Sequence, residues 1–387
     1  MLLAQDDINP DTPDYYGQTP LHCAAGNGHL GVVEMLLAQD GIDPDTPNDH
    51  DQTPLYIAAR NGHEKVVEIL LAQDGIDLDT PDGNGQTPLY IAARNGHEGV
   101  VEMLLAQDAI NPDTPNDYSQ TPLYIAARNG YERVVEMLLG RDDVEPNTPD
   151  GDGRTPLYCA VGNGHERVVE MLLAQDDINP DTSDYYGQTP LHCAAINGYE
   201  RVVEMLLGRD DIDPNTPDDD GETPLYCAVG NGNEGVVEIL LAQDDIDPDK
   251  PDKVGQTPLY CAARYGNEGA VNMLLGRDDV DPNKPDNHGQ TPLLLAAGYG
   301  NQKLVKMLLE RDDINPDISG VDGQTPLYRA ALNGYVDVVR ILLRWDEVNP
   351  GNPNKCRQTA FSLAIRNGDT HVIALLQLPT AAAHSTD

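Results

Sequence analysis

The chain has almost no large aromatic residues from which to build a thick core: Phe361 is its only phenylalanine and Trp345 its only tryptophan in 387 residues. Burial has to come from Leu, Val, Ile, Met and Ala, which suits a thin, continuous core. Positive charge is scarce as well. With Lys+Arg at 24 and Asp+Glu at 65 the net charge is −41, a field that repels nucleic acid and anionic lipid over any unspecialised face. No stretch approaches the roughly 18 consecutive apolar residues of a membrane helix. "MLLAQDDINP" lacks the basic start and apolar run of a secretory signal. The expected location is the cytoplasm, with a nuclear pool left open. Serines are few, and there is no Gly-rich Lys-Ser/Thr phosphate loop, G-x-S-x-G, H-E-x-x-H or paired C-x-x-C. No catalytic role, cofactor, metal or small-molecule substrate is therefore expected.

What the chain has is a period. Thr19, Thr53, Thr87, Thr121, Thr155, Thr189, Thr223, Thr257, Thr291, Thr325 and Thr359 are spaced 34 residues apart without a break. Counting each unit from thirteen residues before its threonine gives eleven: 6–39, 40–73, 74–107, 108–141, 142–175, 176–209, 210–243, 244–277, 278–311, 312–345 and 346–379. Residues 380–387 remain as a tail. Met1–Gln5 matches Met35–Gln39, so residues 1–5 read as the remnant of a truncated unit, as in a fragment or a start within a longer protein. A register this strict implies one elongated array whose units touch only their neighbours, not two or three globular domains.

One unit, "TPLYIAARNGHEKVVEILLAQ" from Thr53, can be read as structure. Thr53 suits a helix N-cap and Pro54 the first helical position, where its missing donor would be unpaired anyway. The helix should run to Asn61, with Gly62 as the left-handed residue after its end. A second helix should follow His63, with Val66, Val67, Leu70 and neighbours forming an apolar stripe. Segments such as "DGIDPDTPNDHDQ" between units are solvated turns or short hairpins. Small alanines on the first helix and bulkier residues on the second should curve the stack with the first helices inside. Five of six cysteines, Cys23, Cys159, Cys193, Cys227 and Cys261, take a slot filled elsewhere by Ile57, Ile91, Ile125 or Leu295. Small buried thiols in a reducing compartment are expected there.

"TPLHCAA" and "NGHEKVVEILL" resemble the ankyrin repeat in wording and order across all eleven units, and the Trp, Leu-Gly and Tyr pattern of tetratricopeptide repeats is absent. The resemblance implies an all-α ankyrin-repeat solenoid: helix-turn-helix units joined by projecting β-hairpin-like fingers, serving as a protein-binding module. Two features depart from the family. The finger is about two residues longer, and the histidine after Thr-Pro-Leu survives only as His22 and His192, with Tyr in seven units. In the family that histidine ties adjacent fingers together; a Tyr hydroxyl can both donate and accept and so can do the same, or the tyrosines contact ligand. Near-copied units with variable tips are also similar to the arrays at the C-terminal ends of large fungal NLR-like signalling proteins.

Aligning the units against one another separates scaffold from variation. The two residues four and three before the threonine change almost every time, from Tyr15-Tyr16 and Asp49-His50 to Lys355-Cys356, and the residue seven after it alternates among Gly, Arg, Ile and Leu. Candidate partner-binding residues on this ridge are Tyr15, Tyr16, Asp49, His50, Arg60, Asn84, Arg94, Tyr118, Arg128, Asp152, Tyr185, Tyr186, Asp220, Lys253, Arg264 and His288. Tyrosine at a loop tip is what recognition favours, whereas solvation alone favours small polar residues. The expected partner is a protein, with a basic surface suited to the charge, and the chain is expected to act as a monomer. A structural spacer and a calcium-loaded acidic array stand as alternatives, although Asp-rich fingers such as "DIDPNTPDDDGE" lack the EF-hand ligand spacing.

Overall fold

Every unit begins with the same local choice. Thr53 is extended (φ −82°, ψ 163°), its hydroxyl accepts the Tyr56 amide at 3.2 Å, and Pro54 opens a helix that runs to Asn61. Gly62, at φ 72°, stops it, because only glycine enters the left-handed region without a Cβ penalty. The second helix, Glu64–Leu71, buries Val66, Val67 and Leu70. These are the expected boundaries.

The structure is a computed structural model, in which residues 10–377 are described. The chain divides into two compact units, Met1–Tyr185 and Tyr186–Asp387. The first holds α1 (Pro20–Gly26), α2 (Leu30–Leu37), α3 (Pro54–Asn61), α4 (Glu64–Leu71), α5 (Pro88–Asn95), α6 (Glu98–Leu105), α7 (Pro122–Asn129), α8 (Glu132–Leu139), α9 (Pro156–Gly162) and α10 (Glu166–Leu173). The second holds six further pairs, from α11 (Pro190–Asn197) and α12 (Glu200–Leu207) to α21 (Ala360–Asn367) and α22 (Thr370–Leu376). Among the described residues there is no strand, and the class is the expected all-α solenoid of helix pairs. In each unit, first helices pack on first helices and second on second. The first helix is the more deeply buried: Leu55, Tyr56, Ile57, Ala58 and Ala59 all lie inside. Each fully buried Leu or Ile contributes about 1.5–3 kcal/mol, so the many thin layers sum to a core without large aromatic clusters.

Each finger is a turn closed on itself. Asn48 Oδ1 accepts the amides of His50 and Gln52 at 2.9 and 3.0 Å, and the Asp51 amide (φ 58°) donates to the Asn48 carbonyl at 2.9 Å. Most units put Gly where Asp51 stands, as in Gly85 at φ 75°. One main-chain bond then joins each tip to the previous one: Asp49 to Tyr16 at 3.1 Å, Gly83 to His50 at 3.0 Å, Asp117 to Asn84 at 3.1 Å. The same bond recurs in the second unit, for example from Asp219 to Tyr186 at 2.9 Å. The fingers are hairpin-like turns joined by single bonds, without a β-ladder.

At the finger base the tyrosine does what the family histidine does. Tyr56 donates to Asp82 at 2.9 Å, Tyr124 to Asp150 at 2.5 Å, Tyr158 to Asp184 at 3.1 Å and Tyr260 to Asp286 at 3.0 Å, in each case on the next finger. His22 itself accepts the Thr19 hydroxyl on Nδ1 (2.8 Å) and donates from Nε2 to the Gln52 carbonyl (2.9 Å). The base tyrosines are structural.

One expectation is corrected. Cys159, Cys227 and Cys261 are buried, but Cys193 is only half-buried and Cys23 is exposed. The Tyr124 and Tyr226 hydroxyls of the preceding repeats lie against Cys159 and Cys261, whereas no helix among the described residues precedes Cys23's own. Trp345, just before the last repeat, keeps 38% of its surface exposed. The remnant at residues 1–5, the tail at 380–387 and the end of the last repeat lie outside the described residues.

Candidate protein-interaction surface

The chosen tip residues are all exposed. In the first unit Tyr15 is 90% exposed and Tyr118 66%, and Tyr16, Asp49, His50, Asn84, Asp152 and Tyr185 lie open beside them. In the second unit Tyr186, Asp220, Lys253 and His288 do the same. The exposure is not looseness. The main chain at these positions carries the tip-to-tip bonds and the turn bonds just described, so the backbone is held while the side chains are free to change. Tyr15 and Tyr16 also meet edge to face, with centroids 5.3 Å apart, an arrangement that adds rigidity.

The residue seven after the threonine sits at the end of the first helix. Arg94, Arg128 and Arg264 are exposed there and Arg60 is half-buried. Arg60 and Arg94 reach the neutral side chains of Gln52 and Gln86 at 3.5 and 3.4 Å, and Arg264 lies 5.8 Å above the ring of Tyr265. The guanidinia run beside the buried tyrosines: burial pushes the Tyr90 hydroxyl up to about 12, with Arg94 and Arg128 opposing. Tyr90 therefore stays a neutral donor at any working pH. Where the row ends at Gly162, a cleft of about 430 Å³ opens, lined by Tyr124, Arg128, Asp150, Asp152, Arg154 and Cys159.

Besides Tyr335, exposed to 37%, two more widely exposed tyrosines were not among the expected site residues. Tyr265 and Tyr299, each 61% exposed, stand eight after the threonine, where nine units have Asn. Asn61, Asn95 and Asn129 use their side chains to bind the carbonyls of Gly26, Arg60 and Arg94 at 2.9–3.0 Å. Replacing that linking amide by a tyrosine was the available signal.

Among the described residues the single group of clustered metal-ligand types is Asp218, Glu222 and Cys227, with candidate atoms within 4.8 Å of one another. There Asp218 Oδ1 already accepts two amides, and the Cys227 thiol, its pKa pushed up by burial, donates toward Glu222 at 3.8 Å. Elsewhere finger carboxylates such as those of Asp43 and Asp77 accept backbone amides at 3.0 Å. Nor does the arrangement assemble a nucleophile pair: His22 is occupied at both nitrogens, and Cys23 contacts Gln18 at 3.7 Å.

Stacked helix pairs with rigid tips and variable side chains define the class: a tandem-repeat scaffold that presents a surface. The family model for ankyrin repeats, in three-copy blocks, matches residues 1–82, 75–150, 142–218, 211–286 and 278–352, and the chain belongs to the ankyrin repeat family. Members of this family are generally protein–protein interaction modules. No curated protein matches the chain.

Proposed function

We propose that the chain is a non-catalytic module that binds a protein partner through its finger tips. The observation that carries the reading is the pairing of a pinned backbone with variable, exposed side chains at the tips, five of them tyrosine. A Tyr ring on a fixed backbone offers large contact area and loses little entropy on binding. A scaffold serving only as a spacer has no use for exposed aromatic rings at these points. The net charge of −41 favours encounter with a partner carrying a basic surface. Six cysteines outside any disulfide suit the reducing cytoplasm. The module works as a monomer, and its similarity to the arrays of NLR-like proteins suits the recognition part of a larger signalling protein.

The test is capture from a lysate of the source organism on the immobilised chain, compared with a variant carrying Ala at Tyr15, Tyr16, Tyr118, Tyr185 and Tyr186. The expected result is loss of one or a few proteins in the variant. Identical retention by both refutes the tip surface, and retention of nothing by either moves the weight to a spacer.

A further inference from the structure

The first unit carries eight basic side chains, and five are tied to a carboxylate: Lys65 to Glu68, Arg133 to Glu136, Arg141 to Asp143, Arg154 to Asp152 and Arg167 to Glu170. The three without a carboxylate partner are Arg60, Arg94 and Arg128. They occupy the same position of three consecutive repeats, and the row is bounded by Gly26 before and Gly162 after. In a chain of net charge −41 acids are plentiful, so three guanidinia in line with no salt bridge among the described residues form a confined island of basic side chains. Neutral glutamines touch two of them and so orient the guanidinia without neutralising them.

The island has a fixed pitch. The Asn95 and Asn129 side chains bind the carbonyls of Arg60 and Arg94, both at 3.0 Å, which locks each helix end to the next. Neighbouring packed helices lie about 8–10 Å apart, and a chain in the extended polyproline-II conformation advances about 3.1 Å per residue with three residues per turn, so every third side chain returns to one face. Three residues of extended chain therefore match one repeat.

We propose that Arg60, Arg94 and Arg128 hold an extended acidic segment of the protein partner that presents a carboxylate at every third residue. The inference rests on the protein-binding reading above and specifies one part of what is bound. Arginine's planar fork suits carboxylates, binding them through paired, charge-assisted hydrogen bonds. The island also limits the ligand. Past Arg128 the cleft presents Asp150 and Asp152 against the single guanidinium of Arg154, which is tied to Asp152; the remaining negative charge disfavours a fourth carboxylate, and a nucleic-acid strand reaching beyond three charges meets the acidic fingers.

The test uses fluorescence anisotropy with three labelled probes and the full chain. One peptide has glutamates separated by Gly-Ser pairs, a second has the same composition with the glutamates adjacent, and the third probe is a short oligothymidylate. The chain is compared with R60Q/R94Q/R128Q, with the charge-matched R133Q/R141Q/R167Q, and with the five-tyrosine alanine variant. The spaced peptide is expected to bind at least about tenfold more tightly than the adjacent one. That advantage should vanish in R60Q/R94Q/R128Q and persist in both other variants, with urea midpoints confirming that every variant folds. Equal binding of the two peptides, no binding of either, preference for the oligothymidylate, or unchanged binding by R60Q/R94Q/R128Q overturns the proposal. If the peptide fails while the tyrosine variant still loses its captured protein, the strip falls and the tip surface stands. If the peptide binds as expected but capture ignores the tyrosines, the strip stands and the tip surface falls.

Discussion

Replacing Asp45 and Asp79 by asparagine should stabilise the protein, and the repeats themselves provide the comparison. The residue eight before the threonine is Asp in most units but Asn at 147, 215 and 283. Asn147 uses both ends of its amide: Oδ1 accepts the Asn179 amide and Nδ2 donates to the Asp177 carbonyl, each at 2.8 Å. Asn215 and Asn283 repeat this at 2.7–2.8 Å. Asp45 and Asp79 keep only the first bond, from the amides of Asp77 and Asn111 at 2.9 Å. Their Oδ1 atoms are buried without a partner, on the side where the asparagines donate to a carbonyl. A buried unsatisfied acceptor costs about 1–3 kcal/mol. Both side chains are only partly buried, so the low end applies, about 1 kcal/mol each. D45N/D79N should gain about 2 kcal/mol, roughly a 30-fold shift in the folding equilibrium, read as a higher urea midpoint at unchanged slope. The control is D43N/D77N, which removes the same charge from the same fingers. Asparagine is tolerated there, since Asn111 fills that position naturally and accepts the Asp113 amide at 3.1 Å.

Acidity gives the argument a second handle. Burial raises the carboxyl pKa of Asp45 and of Asp79, with the neighbouring Asp43 and Asp77 adding to the effect. A raised folded-state pKa means that the folded chain holds the proton more tightly than the unfolded chain. The penalty is therefore complete above the folded pKa and is relieved as pH falls through it toward the ordinary value of about 3.9. The advantage of D45N/D79N should shrink from pH 7 to about pH 4. An equal gain from D43N/D77N, or an advantage that does not change with pH, refutes the reasoning.

Two further outcomes can be checked at the bench. Y124F removes the hydroxyl that donates to buried Asp150, so it should cost about 1–3 kcal/mol in urea unfolding, while Y118F at an exposed tip should leave stability unchanged; equal effects would show that the base tyrosine carries no link. Iodoacetamide at mildly alkaline pH should label the exposed Cys23 and Cys356 first, because burial pushes the Cys159 and Cys261 thiols up to about 11 and about 12 and the thiolate is the nucleophile. Mass spectrometry showing all six labelled at one rate without urea would contradict that.

By itself the sequence determined the register of the repeats and the beginning and end of each helix. Those are local matters: a threonine cap, a proline that needs no donor and a glycine at positive φ act within a few residues of chain. The variable ridge was legible too, because comparing units needs no coordinates. Only the tertiary structure decided which groups are satisfied. Tyr56 meets Asp82 across 26 positions, Asn95 meets Arg60 across 35, and Asp77 meets Asp45 across 32. The same stacking leaves Arg60, Arg94 and Arg128 without acids and Cys23 uncovered, although the residues around each resemble those of its sibling repeats. Near-identical local sequence makes the helices alike, but hydrogen bonds, ion pairs and burial depend on what the next repeat places opposite, and that is settled when the repeats stack.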